Sequence, residues 1–263
     1  MNENERIDDL GINNLKIIQN KEYFCFGIDS VLLANFVNSS SSKNVILDLC
    51  TGSGVIPIII SAKKIYKKIF GVELQEKMYD LFTRNVTYNK LEDKISCIKE
   101  DIKNVNSIKD KIGQDKVDII VCNPPYKMVG TGLVNKNDVK YIARHEAKCN
   151  LEDVFKSASL LLKSKGKLYI VHKPQRLVDL LSVSRKYNLE AKKIQLVIPK
   201  VNKKPSIVLI EYVKDGKNEV DILEPLIEYK ENGDYTDEIY RIYGLNDKGV
   251  DIKEWKTKKE HYI

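Results

Sequence analysis

The chain has 263 residues, of which 43% are hydrophobic and 31% charged, and its 44 basic and 37 acidic side chains give a formal charge of +7. That is enough chain for a full core, and no apolar run reaches the roughly 20 residues a membrane helix needs, so no membrane association is expected. The five cysteines are odd in number and widely spaced, with no CxxC, which argues against a disulfide framework or a zinc site, and the opening Met1-Asn-Glu-Asn-Glu-Arg6 is unlike a signal peptide; a cytoplasmic location is expected.

Residues 24–34, Phe-Cys-Phe-Gly-Ile-Asp-Ser-Val-Leu-Leu-Ala, hold an aromatic pair, Asp29 in a helix N-cap position and a short apolar helix. This helix is expected to pack over a ligand pocket, with direct contact between Asp29 and the ligand as the alternative. Residues 45–49 read as a buried strand, 52–54 as the glycine turn after it, 55–64 as a helix and 69–73 as a second strand. Helical spacing follows over 75–89, then a third strand at 95–98 and a fourth at 117–122. An amphipathic helix covers 151–162 and is expected to stop near Gly166, before a fifth strand at 167–171 and a helix over 174–187. Strands alternating with helices predict an α/β fold, a Rossmann-like doubly wound sheet that is mostly parallel. Two last strands, 193–198 and 206–213, are joined by too short a loop for a crossover and must pair antiparallel. No repeat or linker divides the chain, so a single domain is expected, with a core over 45–213 between extensions at 1–44 and 214–263.

The densest signal is Asn123-Pro124-Pro125-Tyr126, directly after the fourth strand. Two prolines fix φ and remove two backbone donors, and a residue before proline is held extended. The turn therefore presents an amide, bare carbonyl acceptors and an aromatic face, a set suited to an exocyclic amine of a base or to a carboxamide. A plain rigid turn is the alternative. Cys122 fits the strand pattern as a core thiol.

Upstream, Asp48-Leu-Cys-Thr-Gly52-Ser-Gly54 closes the first strand, where glycine lets backbone approach a ligand at the carboxyl edge of the sheet. A dinucleotide fingerprint would continue to a third glycine, but that position is Pro57, which weighs against NAD. Glu73 ends the second strand, where an acid suits a ribose diol, and Asp101 just past the third could accept from an adenine amino group. Together with Asn123-Pro-Pro-Tyr126 the set resembles the S-adenosylmethionine-dependent methyltransferases over residues 45–213. The resemblance implies S-adenosylmethionine as cofactor, with Gly52 and Gly54 along its methionine part, Asp48 near the methionine end, Glu73 on the ribose, Asp101 on the adenine, and Asn123 bordering both cofactor and substrate.

An adenine amine is a poor nucleophile, because its lone pair is delocalised into the ring. The Asn123 side-chain oxygen and the Pro124 carbonyl would accept its hydrogens and absorb developing positive charge, while Pro125 and Tyr126 flank the base and Tyr126 stacks on it. No strong base or metal is needed, and the target must be flipped or already unpaired. The motif also occurs in enzymes acting on release-factor glutamine and ribosomal RNA guanine, so it identifies an amino-group target and not adenine alone.

The flanking stretches narrow this. Phe26 to Ala34, Arg144-His145-Glu146, Pro174 to Leu180 and Pro225-Leu226-Ile227, in this order, resemble the bacterial tRNA-valine (adenine-N6) methyltransferase family, which modifies the adenine beside the anticodon. The implied partner is a tRNA anticodon stem-loop. Lysines 192, 193, 200, 203 and 204, with a second group at 248, 253, 256, 258 and 259, are solvated faces or phosphate contacts, Lys203 and Lys204 being the foremost candidates. The alternatives are a methyltransferase on release-factor glutamine, ribosomal RNA guanine or DNA adenine, or a silent RNA-binding module. A long loop covers 127–143 beside the amine site, and His145 is expected as a surface or capping residue, with a base or phosphate contact as the alternative.

Overall fold

The computed structural model describes residues 1–23, 25–125 and 150–245. It opens with a hairpin that periodicity does not announce: β1 (Glu5–Asp9) and β2 (Lys16–Asn20) pair antiparallel, apart from the main sheet. There follow α1 (Ile28–Phe36), β3 (Val45–Leu49), α2 (Val55–Lys63), β4 (Lys68–Glu73), α3 (Glu76–Tyr88), β5 (Ile95–Lys99), α4 (Val105–Ile112) and β6 (Val117–Cys122). The second half holds α5 (Leu151–Leu161), β7 (Leu162–His172), a 3-10 turn at Pro174–Arg176, α6 (Leu177–Lys186), β8 (Leu189–Ile198) and β9 (Ile207–Lys214). Two short strands, β10 (Asp221–Ile222) and β11 (Leu226–Ile227), and the helix α7 (Asp237–Ile242) end the described chain.

The main sheet runs β10-β8-β9-β7-β6-β3-β4-β5, with β11 also on β8. β7, β6, β3, β4 and β5 are parallel, and β9 lies antiparallel between β7 and β8, as the short connection requires. Every residue of β3 is buried because both faces of a central parallel strand are covered. Ile46, Ile58 and Ile69 pack on the face carrying α1, α2 and α3, while Leu47, Leu49, Ile120 and Phe155 pack on the other. Strand order reverses at β3, with β4 on one side and β6 on the other. The crevice beyond the carboxyl ends of β3 and β6 is therefore the topological switch point at which such sheets bind ligands.

Three local expectations are corrected. Asp29 does not cap α1: the N-cap is Gly27, with no side-chain cap, and Asp29 lies inside the first turn. The helix expected over 151–162 is found at Leu151–Leu161, but Gly166, expected near its stop, lies within β7. A Cβ there would come within 2.9 Å of the Lys163 carbonyl and 3.1 Å of the Asp118 carbonyl, so this glycine serves close approach between strands. Finally, α4 fills the stretch between the third and fourth strands, which had no expected element.

The segment around the amino-terminal hairpin and the helix α7 both pack on the α1–α3 side. Asn85 in the last turns of α3 and Asn89 at its C-cap, four residues on, replace a missing strand partner for β2. The Asn89 amide bonds the backbone N–H and C=O of Lys16 at 2.9 and 2.7 Å, and Asn85 does the same for Ile18 at 2.6 and 3.1 Å. At the other end, α7 packs against α1, with Thr236 as its N-cap, and the Lys63 ammonium bonds the Ile242 carbonyl. The α7 residues Ile239, Tyr240 and Ile242 join the same core as Leu10, Ile12 and Ile17 of the amino-terminal segment.

Candidate active site

The loop after β3 is left-handed at alternate residues: φ is +60° at Cys50, +60° at Gly52 and +84° at Gly54. The two glycines have different work. A Cβ on Gly54 would lie 2.1 Å from the Phe82 ring, so its bareness is needed for packing against α3. On Gly52 the nearest atom would be Met78 Cε at 3.7 Å, which leaves this position open to approach by a ligand. Pro57 sits in the first turn of α2, where its missing N–H has no helical partner to lose.

Glu73, at the end of β4 and 5% exposed, accepts from the backbone N–H of Gly52 at 2.9 Å and of Gln75 at 2.8 Å. It thereby ties the glycine loop to the start of α3, and a carboxylate has lone-pair sites beyond those two. Asp48 is fully buried. Its Oδ2 accepts from Thr51 Oγ1 at 2.6 Å, while its Oδ1 has no partner among the described residues. Burial pushes its carboxyl up to about 8, with the charge of Glu73 adding to the rise and the Thr51 bond opposing it. Asp101 follows Glu100, whose backbone N–H bonds the Glu73 carbonyl, so it stands one strand along the same edge. It forms an Asx turn with the Lys103 N–H at 3.0 Å and keeps a quarter of its side chain exposed beside the Lys103 ammonium at 3.5 Å.

On the other side of the switch point, Asn123 leaves β6 directly after Cys122, which is fully buried as the strand pattern required. Pro124 is buried and Pro125 half-buried. The Asn123 amide nitrogen donates to Ser30 Oγ at 3.1 Å and Asp29 Oδ2 at 3.3 Å, both in the first turn of α1. The structure thus brings Asp29 and Asn123 together, and joins Asp48, Gly52 and Glu73 around the glycine loop. Tyr126, the 127–143 loop, Arg144-His145-Glu146, Phe24 and the lysines beyond 245 lie outside the described residues. Lys203 and Lys204 are exposed in the turn between β8 and β9. Because His172 at the carboxyl end of β7 pairs with Val208 near the start of β9, that turn projects from the same sheet edge as Asn123.

Sequence reasoning missed two residues here. Ser30 lies beside Asp29, but nothing local indicates that it reaches Asn123. Asn85, fully buried, adds a third bond, to the Ser53 carbonyl at 2.9 Å, and so couples the glycine loop to the amino-terminal hairpin. Its signal is visible in retrospect as an asparagine in the interior of a helix, where it is a poor former. Among the described residues no group of three or more His, Cys, Asp or Glu is placed to hold a metal ion, and no helix is long and apolar enough to cross a membrane.

The mostly parallel sheet with its antiparallel β9, and a glycine loop and strand-end acids at the switch point, define a class I methyltransferase fold. Solved structures share it. A protein from Agrobacterium tumefaciens described as a predicted O-methyltransferase superposes with a TM-score of 0.66 at 18% identity, over 82% of this chain and 96% of that one. TYW2 from P. horikoshii, solved in complex with MeSAdo, gives 0.53 at 13% identity over 82% and 73% of the two chains. Residues 29–133 match the family model described as the TRM5/TYW2 methyltransferase domain.

Within that class the chain is similar to curated proteins named tRNA1(Val) (adenine(37)-N6)-methyltransferase. The relative from Porphyromonas gingivalis is 26% identical over 82% of this chain and 86% of its own length. The one from Bacteroides thetaiotaomicron is 27% identical over 81% and 85%. The resemblance read from the sequence is borne out by these names.

Proposed function

We propose that the protein transfers a methyl group to the exocyclic N6 amine of an unpaired adenine in tRNA, in the anticodon stem-loop of a valine tRNA, and that it does so in the cytoplasm. The observation that carries the reading is the orientation of Asn123. Its amide nitrogen is turned inward onto Asp29 and Ser30, and its oxygen has no partner among the described residues. An acceptor offered across the switch point of this fold from an open Gly52 suits an amine awaiting an electrophile. The names of the relatives supply the adenine and the tRNA.

The residues fit S-adenosylmethionine. A buried Asp48 carboxyl with an unpartnered oxygen suits the amino group of a methionine moiety, directly or through water. Gly52 leaves room for that moiety, Gly54 shapes the turn, Glu73 would hold the ribose hydroxyls and Asp101 the adenine. When bound, this cofactor supplies an electrophilic methyl, whose transfer forms a C–N bond and breaks a C–S bond, leaving S-adenosylhomocysteine while the amine proton passes to water. The chain's own work is acceptance and positioning. Asn123 Oδ1 and the Pro124 carbonyl draw the amine hydrogens, which frees the nitrogen lone pair from the ring and absorbs positive charge as it develops. Pro125 and Tyr126 bracket the base. Lys203 and Lys204, exposed on the same edge, suit phosphates of a single-stranded loop.

The test is methyl transfer from labelled S-adenosylmethionine to unmodified bulk tRNA, to DNA and to a release factor. Label in tRNA is expected. Label confined to protein or DNA would replace this reading with a glutamine or DNA-adenine methyltransferase, and cofactor-independent tRNA binding without transfer would leave a silent binding module.

A further inference from the structure

We infer that Asp29 and Ser30 are positioning residues that set which end of the Asn123 carboxamide faces the substrate, an inference that rests on the reading above. A carboxamide has nearly the same shape after a half-turn about its last bond, yet one end accepts and the other donates. Only the oxygen end can accept from an amine. If Asn123 turned its nitrogen outward, two donors would face each other and the amine would lose its acceptor. Shape alone cannot prevent that, so the choice must come from whatever the inner end meets.

The first turn of α1 supplies that choice. Asp29 and Ser30 are 6% and 3% exposed, so no water replaces them cheaply at the inner end. Asp29 Oδ2 accepts from the Asn123 nitrogen at 3.3 Å and Ser30 Oγ from the same nitrogen at 3.1 Å. Asp29 itself cannot drift, because its Oδ1 accepts from the Ser30 backbone N–H at 2.8 Å. Gly27 completes the seat: a Cβ there would stand 3.0 Å from Asp29 Oδ1. The helix behind is braced by α7 from the carboxyl-terminal segment, which gives that segment a part in holding Asn123. Asp29 thus acts through Asn123, which differs from the cofactor contact considered from the sequence.

The decisive variant is the isostere Asp29→Asn. Its oxygen would keep the Ser30 N–H, leaving its NH2 pointed at the Asn123 nitrogen and favouring the wrong turn of the amide. A residue needed only for packing or helix stability tolerates this change. The experiment compares wild type, Asp29→Asn, Ser30→Ala, Asn123→Ala and the double variant Asp29→Asn with Asn123→Ala, reading single-turnover transfer to bulk tRNA and calorimetric binding of S-adenosylhomocysteine. For Asp29→Asn the expected result is a fall in transfer rate of about 10- to 100-fold with cofactor Kd within about three-fold, and for Ser30→Ala a smaller fall. In the double variant Asp29→Asn should cost nothing further, since no amide is left to orient. An unchanged rate in Asp29→Asn, a cofactor Kd raised tenfold or more, or an equal loss with and without Asn123 would each overturn the inference. A wild type that transfers methyl to no tRNA instead overturns the functional reading on which it rests.

Discussion

Glu73 and Asn123 stand on either side of the same crevice and are held in different ways. Glu73 accepts from backbone N–H groups at Gly52 and Gln75, both within 21 residues of it in the chain. Asn123 is held by side chains 94 and 93 residues away, on a helix that precedes the sheet. The glycine-loop half therefore builds itself from a local run of sequence, with a backbone whose donors are fixed by the fold. The Asn123 half depends on α1 being docked correctly, and on what docks it. On the proposed function, holding a cofactor and presenting an acceptor fall to different sides, and substitutions on the two sides should separate as well.

The largest effect is expected at Asn123. Asn123→Ala should lower the methyl-transfer rate by about 100- to 1,000-fold, the range for removing one preorganised electrostatic group, with cofactor binding within a few-fold. A loss of cofactor binding by orders of magnitude would erase the contrast between the halves. On the other side, Glu73→Ala removes the acceptor of two backbone N–H groups, so cofactor Kd should rise by about 10- to 100-fold in calorimetry. A transfer rate at saturating cofactor close to wild type would sharpen the contrast; unchanged affinity would remove Glu73 from the cofactor half.

Asn85→Ala tests whether the glycine loop is as self-contained as its contiguity suggests. It strips partners from the backbone of Ile18 and Ser53, and leaving buried groups unpaired costs about 1–3 kcal/mol. We expect a lower Tm and weaker cofactor binding with the transfer rate per bound cofactor unchanged. Weakest of all should be Lys203→Ala with Lys204→Ala, which removes two exposed charges from the substrate edge. Binding of tRNA should weaken a few-fold at low salt, and the slope of log affinity against log salt should fall by about two. An unchanged slope would take this turn out of the tRNA surface.

The same contrast explains what was legible in the sequence. β3, β4 and β6 announce themselves because strands buried on both faces are continuous apolar runs, and the glycine loop with Glu73 sits within 30 residues of chain. The grip on Asn123 was not legible, because no local pattern relates positions 94 residues apart. The amino-terminal hairpin escaped because β2 completes its pairing with Asn85 and Asn89 side chains, which carry no strand periodicity. The start of β7 carries no strand signal because Lys163, Ser164 and Lys165 are polar and exposed without alternation. β10 and β11, two residues each, are shorter than any pattern can report, and α4 buries only Ile108.

The central claim is that the acceptor at Asn123 serves an adenine amine in tRNA. Digestion of tRNA labelled by the wild-type protein to nucleosides tests it most directly. The account predicts that the label co-elutes with N6-methyladenosine and is lost with Asn123→Ala; label in a ring-nitrogen or guanine product, or label that survives Asn123→Ala undiminished, would contradict it.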